Sequence, residues 1–275
     1  MSPTVIPPHS SAAGRWLTEA SEVLERFGRT QMEAVAKTAE LCATAIEAGG
    51  FAHLFGTGHS RIPLEEMFPR YGSYPGFHPI AELSMTFHTQ IAGANGQRQA
   101  MFIERVQGLA EVILANFQFR PTDVMIIFSA SGLTAVPIEM ASGAHDRGLP
   151  VVAVTSVAQS MSRPSEHPSG LRLLDHADVV IDLGTPVGDA MVWFEGLDTP
   201  IGPGSTVANA AAVNEIKVQT AALLLERGAL PPVITSSAVV GSDRADALFE
   251  AAYREHARRM ASALAGAEPP VAKRR

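Results

Sequence analysis

From residue 15 to residue 48 the apolar side chains return every three or four positions: Leu17, Ala20, Val23, Leu24 and Phe27, then Met32, Val35, Ala39 and Ile46. That spacing lines one face of a helix. Gly28 divides the run or kinks it, and Gly49-Gly50 ends it. A helical arm of this length, set before the first strand, either packs against a second subunit or covers its own chain. Then the pattern changes. Short apolar runs at 51–55 (interrupted by His53), 124–128, 151–154 and 179–181 have the length and composition of buried strands. Val233-Ile234, behind Pro231-Pro232, reads as a last strand or an extended segment. Helical spacing returns at 64–71, 104–117, 135–147, 205–227 and 243–264. Strands alternating with helices predict a parallel sheet covered on both faces. Residues 71–78, 92–97 and 160–173 read as turns or polar loops. The Gly- and Pro-rich stretch 182–203, with Asp189, Glu195 and Asp198, has the length of a functional loop. Residues 1–14 and 266–275 read as loose ends around one domain over 15–265.

In an open parallel sheet, ligands bind beyond the carboxyl ends of the strands. Three of those ends are rich in small hydroxyl residues: Gly56-Thr57-Gly58-His59-Ser60, Ser129-Ala130-Ser131-Gly132-Leu133-Thr134 and Thr155-Ser156. The second runs from an apolar strand into a helix start. First-turn N–H groups there lack intrahelical partners, and the helix dipole adds positive potential. Ser129, Ser131 and Thr134 add hydroxyl donors, and Gly132 allows close backbone approach. Taken alone, such a stretch is equally well read as an ordinary helix cap. Three on one sheet edge argue for a polar, anionic ligand bearing hydroxyls, such as a sugar phosphate. The first turn is not a dinucleotide fingerprint, because the third glycine of G-x-G-x-x-G would fall at Arg61.

Charge and composition narrow the classes. Lys and Arg number 21 against 28 Asp and Glu, a net charge of −7, which disfavours nucleic-acid binding as the main task. Cys42, the lone cysteine, falls in a helical pattern and reads as a core residue. No apolar run reaches the ~18 residues of a membrane span, and the N-terminus lacks a signal-peptide pattern. A soluble cytoplasmic protein is expected. His53, His59, His78 and His88 have no recognised ligand spacing, so no metal is expected.

On Phe55-Gly56-Thr57-Gly58-His59-Ser60, Phe128-Ser129-Ala130-Ser131-Gly132-Leu133-Thr134, Val154-Thr155-Ser156 and Gly204-Ser205-Thr206, together with the long N-terminal helix, the chain resembles the sugar isomerase (SIS) domain proteins. The resemblance spans about residues 15–228. Its layout is similar to a single-domain bacterial branch near the N-acetylmuramic acid 6-phosphate etherases. That resemblance implies an α/β fold: a flavodoxin-like three-layer α/β/α sandwich with a five-stranded parallel sheet. It also implies a homodimer with sites at the subunit interface, and no organic cofactor. By resemblance, Ser129, Ser131 and Thr134 hold a phosphate, Thr57, Ser60 and Ser205 lie near the sugar, and Ser156 joins the binding set at the third strand end.

The carboxylates carry over with less agreement. The etherases have a glutamate on the helix after their first Gly-rich turn and another on a later helix. Glu65 and Glu66 lie closer to the turn than that first residue does, and Glu104 is the counterpart of the second. Glu82, beside apolar residues, is a further candidate. Adjacent helical residues point ~100° apart, so at most one of Glu65 and Glu66 faces a given cleft. Glu82 and Glu66 rank ahead of Glu104, with Glu65 last. Heptose phosphate isomerases pair a glutamate with a histidine, for which His59 is the nearest candidate. The expected activity is proton abstraction from an amino-sugar or other sugar phosphate, followed by elimination, as in a dehydratase or etherase, or by isomerisation. The rival reading is a non-catalytic sugar-phosphate sensor. The residues before Phe51 lack a basic helix-turn-helix, which disfavours a DNA-binding regulator.

Overall fold

The computed structural model describes residues 5–6, 12–86 and 96–264. The helical arm forms α1 (Arg15–Thr30) and α2 (Met32–Glu47). Gly28 lies inside α1, and the break falls at Gln31 instead. There the side-chain oxygen of Gln31 accepts the Asp182 N–H at 2.9 Å, so the bend ties the arm to the sheet. The arm is an intramolecular cover: Ala20, Val23, Phe27, Val35, Cys42 and Ile46 are all buried in the chain's own core.

β1 (Ala52–Gly56) is followed by α3 (Ile62–Met67), β2 (Phe77–Ile80), α4 (Leu83–Thr86), α5 (Gly96–Ile103), α6 (Leu109–Leu114) and β3 (Val124–Phe128). Then come α7 (Ala135–Asp146), β4 (Val151–Thr155), α8 (Val157–Met161) and β5 (Val179–Asp182). A hairpin of β6 (Ala190–Phe194) and β7 (Ile201–Pro203) leads to α9 (Ser205–Glu226), α10 (Ser237–Val240) and α11 (Ser242–Leu264). β1 to β5 form one parallel sheet in the order β2-β1-β3-β4-β5. This is a five-stranded parallel sheet flanked by helices.

Alternate residues of each strand serve the two faces, as pleating requires. Leu54, Ile126, Phe128 and Val154 pack with α1, α2, α3 and α9. Phe55, Met125, Ile127 and Ala153 pack with α6 and α7. All fifteen residues of β1, β3 and β4 are buried, which explains their largely apolar runs, with His53 and Thr155 the polar side chains among them.

Three expectations need correction. The fifth strand is Phe77–Ile80, inside and just beyond the stretch read as turn; residues 233–234 form no strand, though Ile234 exchanges backbone hydrogen bonds with Gly72 and Ser73. Pro79 hid it, and proline is tolerated because this strand is the sheet's edge. The stretch 182–203 is no structureless loop: β6 and β7 pair antiparallel, and Val5–Ile6 add a short parallel strand beside Trp193 and Phe194. The helical run at 104–117 is also interrupted. Gly108, at φ 83°, precedes α6, so Glu104 sits in a turn between two helices. His88 and the tail 266–275 lie outside the described residues. Among the described residues, no helix is long and apolar enough to cross a membrane.

Candidate functional site: the cleft between β1 and β3

The strand order reverses between β1 and β3, because β2 lies to one side of β1 and β3, β4 and β5 to the other. A switch of this kind opens a crevice at the carboxyl ends of the two strands. A cavity of ≈ 220 Å³ lies there. Its walls are the turn after β1 (Thr57 to Ser60), the turn after β3 (Ser129, Ala130, Ser131 and Thr134), Gln159 of α8, and Gln97, Ala100, Met101 and Glu104 from the α5 region.

The turn after β3 is wired to present amides. Its carbonyls are engaged away from one another's peptides: Ala130 O accepts the Ser156 N–H, Gly132 O the Leu173 N–H and Leu133 O the Glu166 N–H. In a trans peptide the following N–H points opposite to the carbonyl, so the N–H groups of Ser131, Leu133 and Thr134 face the other way. Ser129 Oγ accepts the Gly132 N–H at 3.1 Å and closes the turn. Gly132 has φ 61°, a backbone that favours glycine, and a Cβ there would stand 3.1 Å from Leu173 Cβ. Thr134 is the residue before α7, with no side-chain cap hydrogen bond.

Glu104 is held against this turn by its backbone. Its carbonyl accepts the Val136 N–H at 3.0 Å, which occupies one first-turn donor of α7. The Thr57 hydroxyl donates to Glu104 Oε2 at 2.8 Å. With its side chain only 20% exposed, burial raises the Glu104 carboxyl above its ordinary range. Thr57 and Arg105 act the other way, and Glu166 adds to the rise.

The SIS domain model matches residues 15–156. A UPF0309 protein of Geobacillus sp. (strain WCH70) is 34% identical over 229 residues, 83% of this chain and 90% of the relative. The chain belongs to the SIS-domain family. Another UPF0309 relative, from Listeria monocytogenes serotype 4b, is 36% identical over 223 residues, 81% of this chain and 86% of its own. Among solved structures, the phosphoheptose isomerase of Neisseria gonorrhoeae superposes with a TM-score of 0.47 at 16% identity, covering 76% of this chain and 95% of that one.

The cavity of this SIS domain gathers Thr57, His59, Ser60, Ser129, Ser131, Thr134 and Glu104 from the residues singled out in the sequence. Others lie elsewhere. Ser156 is fully buried and serves α8: its Oγ donates to Thr185 O at 2.8 Å and accepts the Gln159 N–H at 3.3 Å. Ser205 donates to Asp189 Oδ2 at 2.6 Å, while Asp189 Oδ1 accepts the Ser205 N–H at 2.7 Å. Asp189 thus caps α9, and neither residue lines the cavity. Glu65 and Glu66 open on a second cleft of ≈ 450 Å³ with Arg70, Tyr71, Phe249 and Tyr253. Burial works to raise Glu66, but hydrogen bonds from Asn214 and Arg70 outweigh it and hold the carboxyl below its ordinary range. Glu82, just past β2, lines neither cleft.

The histidines His53 and His78 do different work. They face each other on paired strands, with Nδ1 atoms 2.8 Å apart, and His53 Nε2 lies 3.1 Å from Asp123 Oδ2. Asp123 also accepts the N–H groups of Phe51 and Arg120, both at 2.8 Å. This network is buried in the amino-terminal half of the strands, away from the cavity at their other end. Sequence reading missed Gln97, Ala100, Met101 and Gln159. Gln97 ends the stretch read as a Gly/Asn loop, Ala100 and Met101 follow it, and Gln159 stands just before the polar stretch, where one glutamine carries no pattern.

Proposed function

We propose that this SIS domain is a cytoplasmic enzyme acting on an amino-sugar or other sugar phosphate in the cleft between β1 and β3, with Glu104 as its base. The observation that carries the reading is the shared cavity: an amide- and hydroxyl-lined turn at a helix start, and a mostly buried carboxylate facing it. Among the described residues lining the cavity none is Lys or Arg, so dipoles and hydroxyls of Ser129, Ser131 and Thr134 would hold the phosphate. Anchoring that group orients the sugar without touching the reacting carbon. Glu104 then removes a proton from the carbon beside the carbonyl or imine carbon. The resulting enediol-like intermediate either is reprotonated on the neighbouring carbon, which isomerises the sugar, or expels a β-substituent such as water or a lactyl ether. His59, in the same cavity, is the candidate proton donor. A raised carboxyl pKa suits a group that must both take and return a proton. Resemblance to the etherases favours elimination.

Incubation with a panel of hexosamine 6-phosphates, read by mass spectrometry, tests this. Loss of water, loss of lactate, or an unchanged mass with altered retention identifies dehydratase, etherase or isomerase. Binding without turnover of any member would replace the enzyme by a sugar-phosphate sensor. Assembly as a homodimer is part of the same proposal. Since most of the arm's apolar face is buried within the chain, the support lies in resemblance and in the exposed apolar residues Leu17 of α1 and Val218 and Leu225 of α9. A monomer mass by light scattering at micromolar concentration would overturn it.

A further inference from the structure

Glu104 ends a row of alternating charges that begins outside the cleft. Arg163 Nη1 lies 2.6 Å from Glu166 Oε1. Arg105 Nε donates to Glu166 Oε2 at 2.9 Å, and Arg105 Nη1 donates to Glu104 Oε1 at 3.2 Å. The Thr57 hydroxyl serves the other oxygen, Oε2, so both oxygens of the carboxyl have a donor. The row is anchored on backbone. The Glu166 N–H donates to Leu133 O at 3.0 Å, within the turn after β3, and Arg105 Nη1 also donates to Met101 O. Arg105 does not line the cavity, so its guanidinium serves the carboxyl and not the ligand. Other charged groups nearby are engaged or turned outward. Arg61 pairs with Glu65, Glu139 of α7 accepts the Gly108 N–H and lies near His167, and Arg98 of α5 is exposed. His59 is the one other titratable group among the described residues lining the cavity.

We infer that Arg105 is a positioning residue for Glu104, and that Glu166 limits how much of the Arg105 charge reaches it. This rests on Glu104 being the base of the cleft. A guanidinium beside a carboxylate favours its ionised form, and one shared between two carboxylates is divided between them. Without Arg105, Glu104 would be a mostly buried carboxyl with a single hydroxyl donor, and its protonated form would gain. Without the Glu166 charge, a like charge disappears and Arg105 is left to Glu104 alone, so the ionised form would gain. The two neighbours therefore push the base in opposite directions through one shared group. Burial raises the Glu104 carboxyl, Arg105 opposes that rise and Glu166 adds to it, which agrees with this division.

Carbon-13 NMR of the glutamate side-chain carboxyls in the full, unliganded chain tests this, with the Glu104 signal identified by its absence in Glu104→Gln. Arg105→Met is expected to raise the Glu104 titration midpoint by about 1 pH unit. Glu166→Gln is expected to lower it by on the order of 0.5 pH unit. Arg105→Lys, which keeps the charge, should stay nearer the wild-type midpoint than Arg105→Met does. If the methionine variant folds poorly, Arg105→Gln takes its place with the same expected direction. A role in packing alone would lower the melting temperature and leave the midpoints where they are. Unmoved midpoints in the Arg105 and Glu166 variants, or shifts of the same sign, overturn the inference. The titration needs no substrate, so its failure is separate from that of the enzyme reading, which fails if no hexosamine 6-phosphate is turned over or if Glu104→Gln keeps full turnover. Once a substrate is found, the ascending limb of kcat/KM should move with the midpoint in each variant. A limb that stays fixed while the midpoint moves overturns the claim that Arg105 acts through the base.

Discussion

At the scale of single residues, what separates Glu104 from the other glutamates is its position beside the turn after β3, and that position comes from a backbone contact. The Val136 N–H to Glu104 carbonyl bond joins residues 32 apart in the chain and no side-chain pattern encodes it. Sequence reasoning therefore found Glu104 as a candidate but placed Glu82 and Glu66 before it, on spacing and neighbours alone. The hydroxyl residues were legible because strand ends in a parallel sheet converge, while Ser156 and Ser205 read the same way and turned out to serve helix starts. Replacing Glu104 with Gln is expected to lower turnover by about 10²- to 10⁴-fold while sugar-phosphate binding survives. Glu66→Gln should leave turnover near normal, because Glu66 faces Arg70 and Asn214 in the other cleft. Steady-state kinetics on the substrate found by mass spectrometry checks both. The raised Glu104 pKa also has a sign: the base is ionised only above it, so kcat/KM should rise with pH along a limb displaced above the usual glutamate range. That limb should vanish in Glu104→Gln.

The elements show which parts of a fold a hydrophobic pattern can announce. β1, β3 and β4 are buried on both faces and declare themselves as apolar runs, β1 with His53 as its one interruption. β2 needs only one neighbour, tolerates His78 and Pro79, and so resembles a turn. The hairpin of β6 and β7 hides behind glycines and prolines for the same reason: it lies outside the main sheet. Turns, by contrast, depend on individual glycines. A Cβ on Gly56 would stand 2.2 Å from the Ser60 carbonyl oxygen, a backbone atom that no side-chain rotation can clear. Gly56→Ala is expected to cost about 1–3 kcal/mol, the range of overpacked or strained positions, and to displace the 57–60 turn. Chemical denaturation and phosphate titration on the same variant measure the two effects together.

For the molecule as a whole, the buried Asp123, His53 and His78 network sets a limit on acid stability. An ionised Asp123 accepts from His53 Nε2, and across the Nδ1 pair one histidine ring donates while the other accepts. Burial, then the charge of His53 and His256, pushes His78 down to about 3. An unfolded histidine takes up its proton near pH ~6.5, so stability should fall progressively from there toward pH 3. Burial tends to raise Asp123, but His53 and two backbone N–H groups hold it below its ordinary value. Its contribution is present above pH ~4 and is lost as pH falls through that depressed value. The melting temperature should therefore decline on acidification below pH ~6.5, and more shallowly in His78→Phe, which carries no titrating group there. One further contact has a bearing on how the chain is made. The Arg259 guanidinium, 5% exposed, donates to Ile46 O at 3.0 Å and to Gly50 O at 2.7 Å, bridging 213 and 209 positions of sequence. Those carbonyls end α2 and lead into β1, the first strand of the sheet. During synthesis this clasp can form only after residue 259 has emerged, long after the two carbonyls it holds.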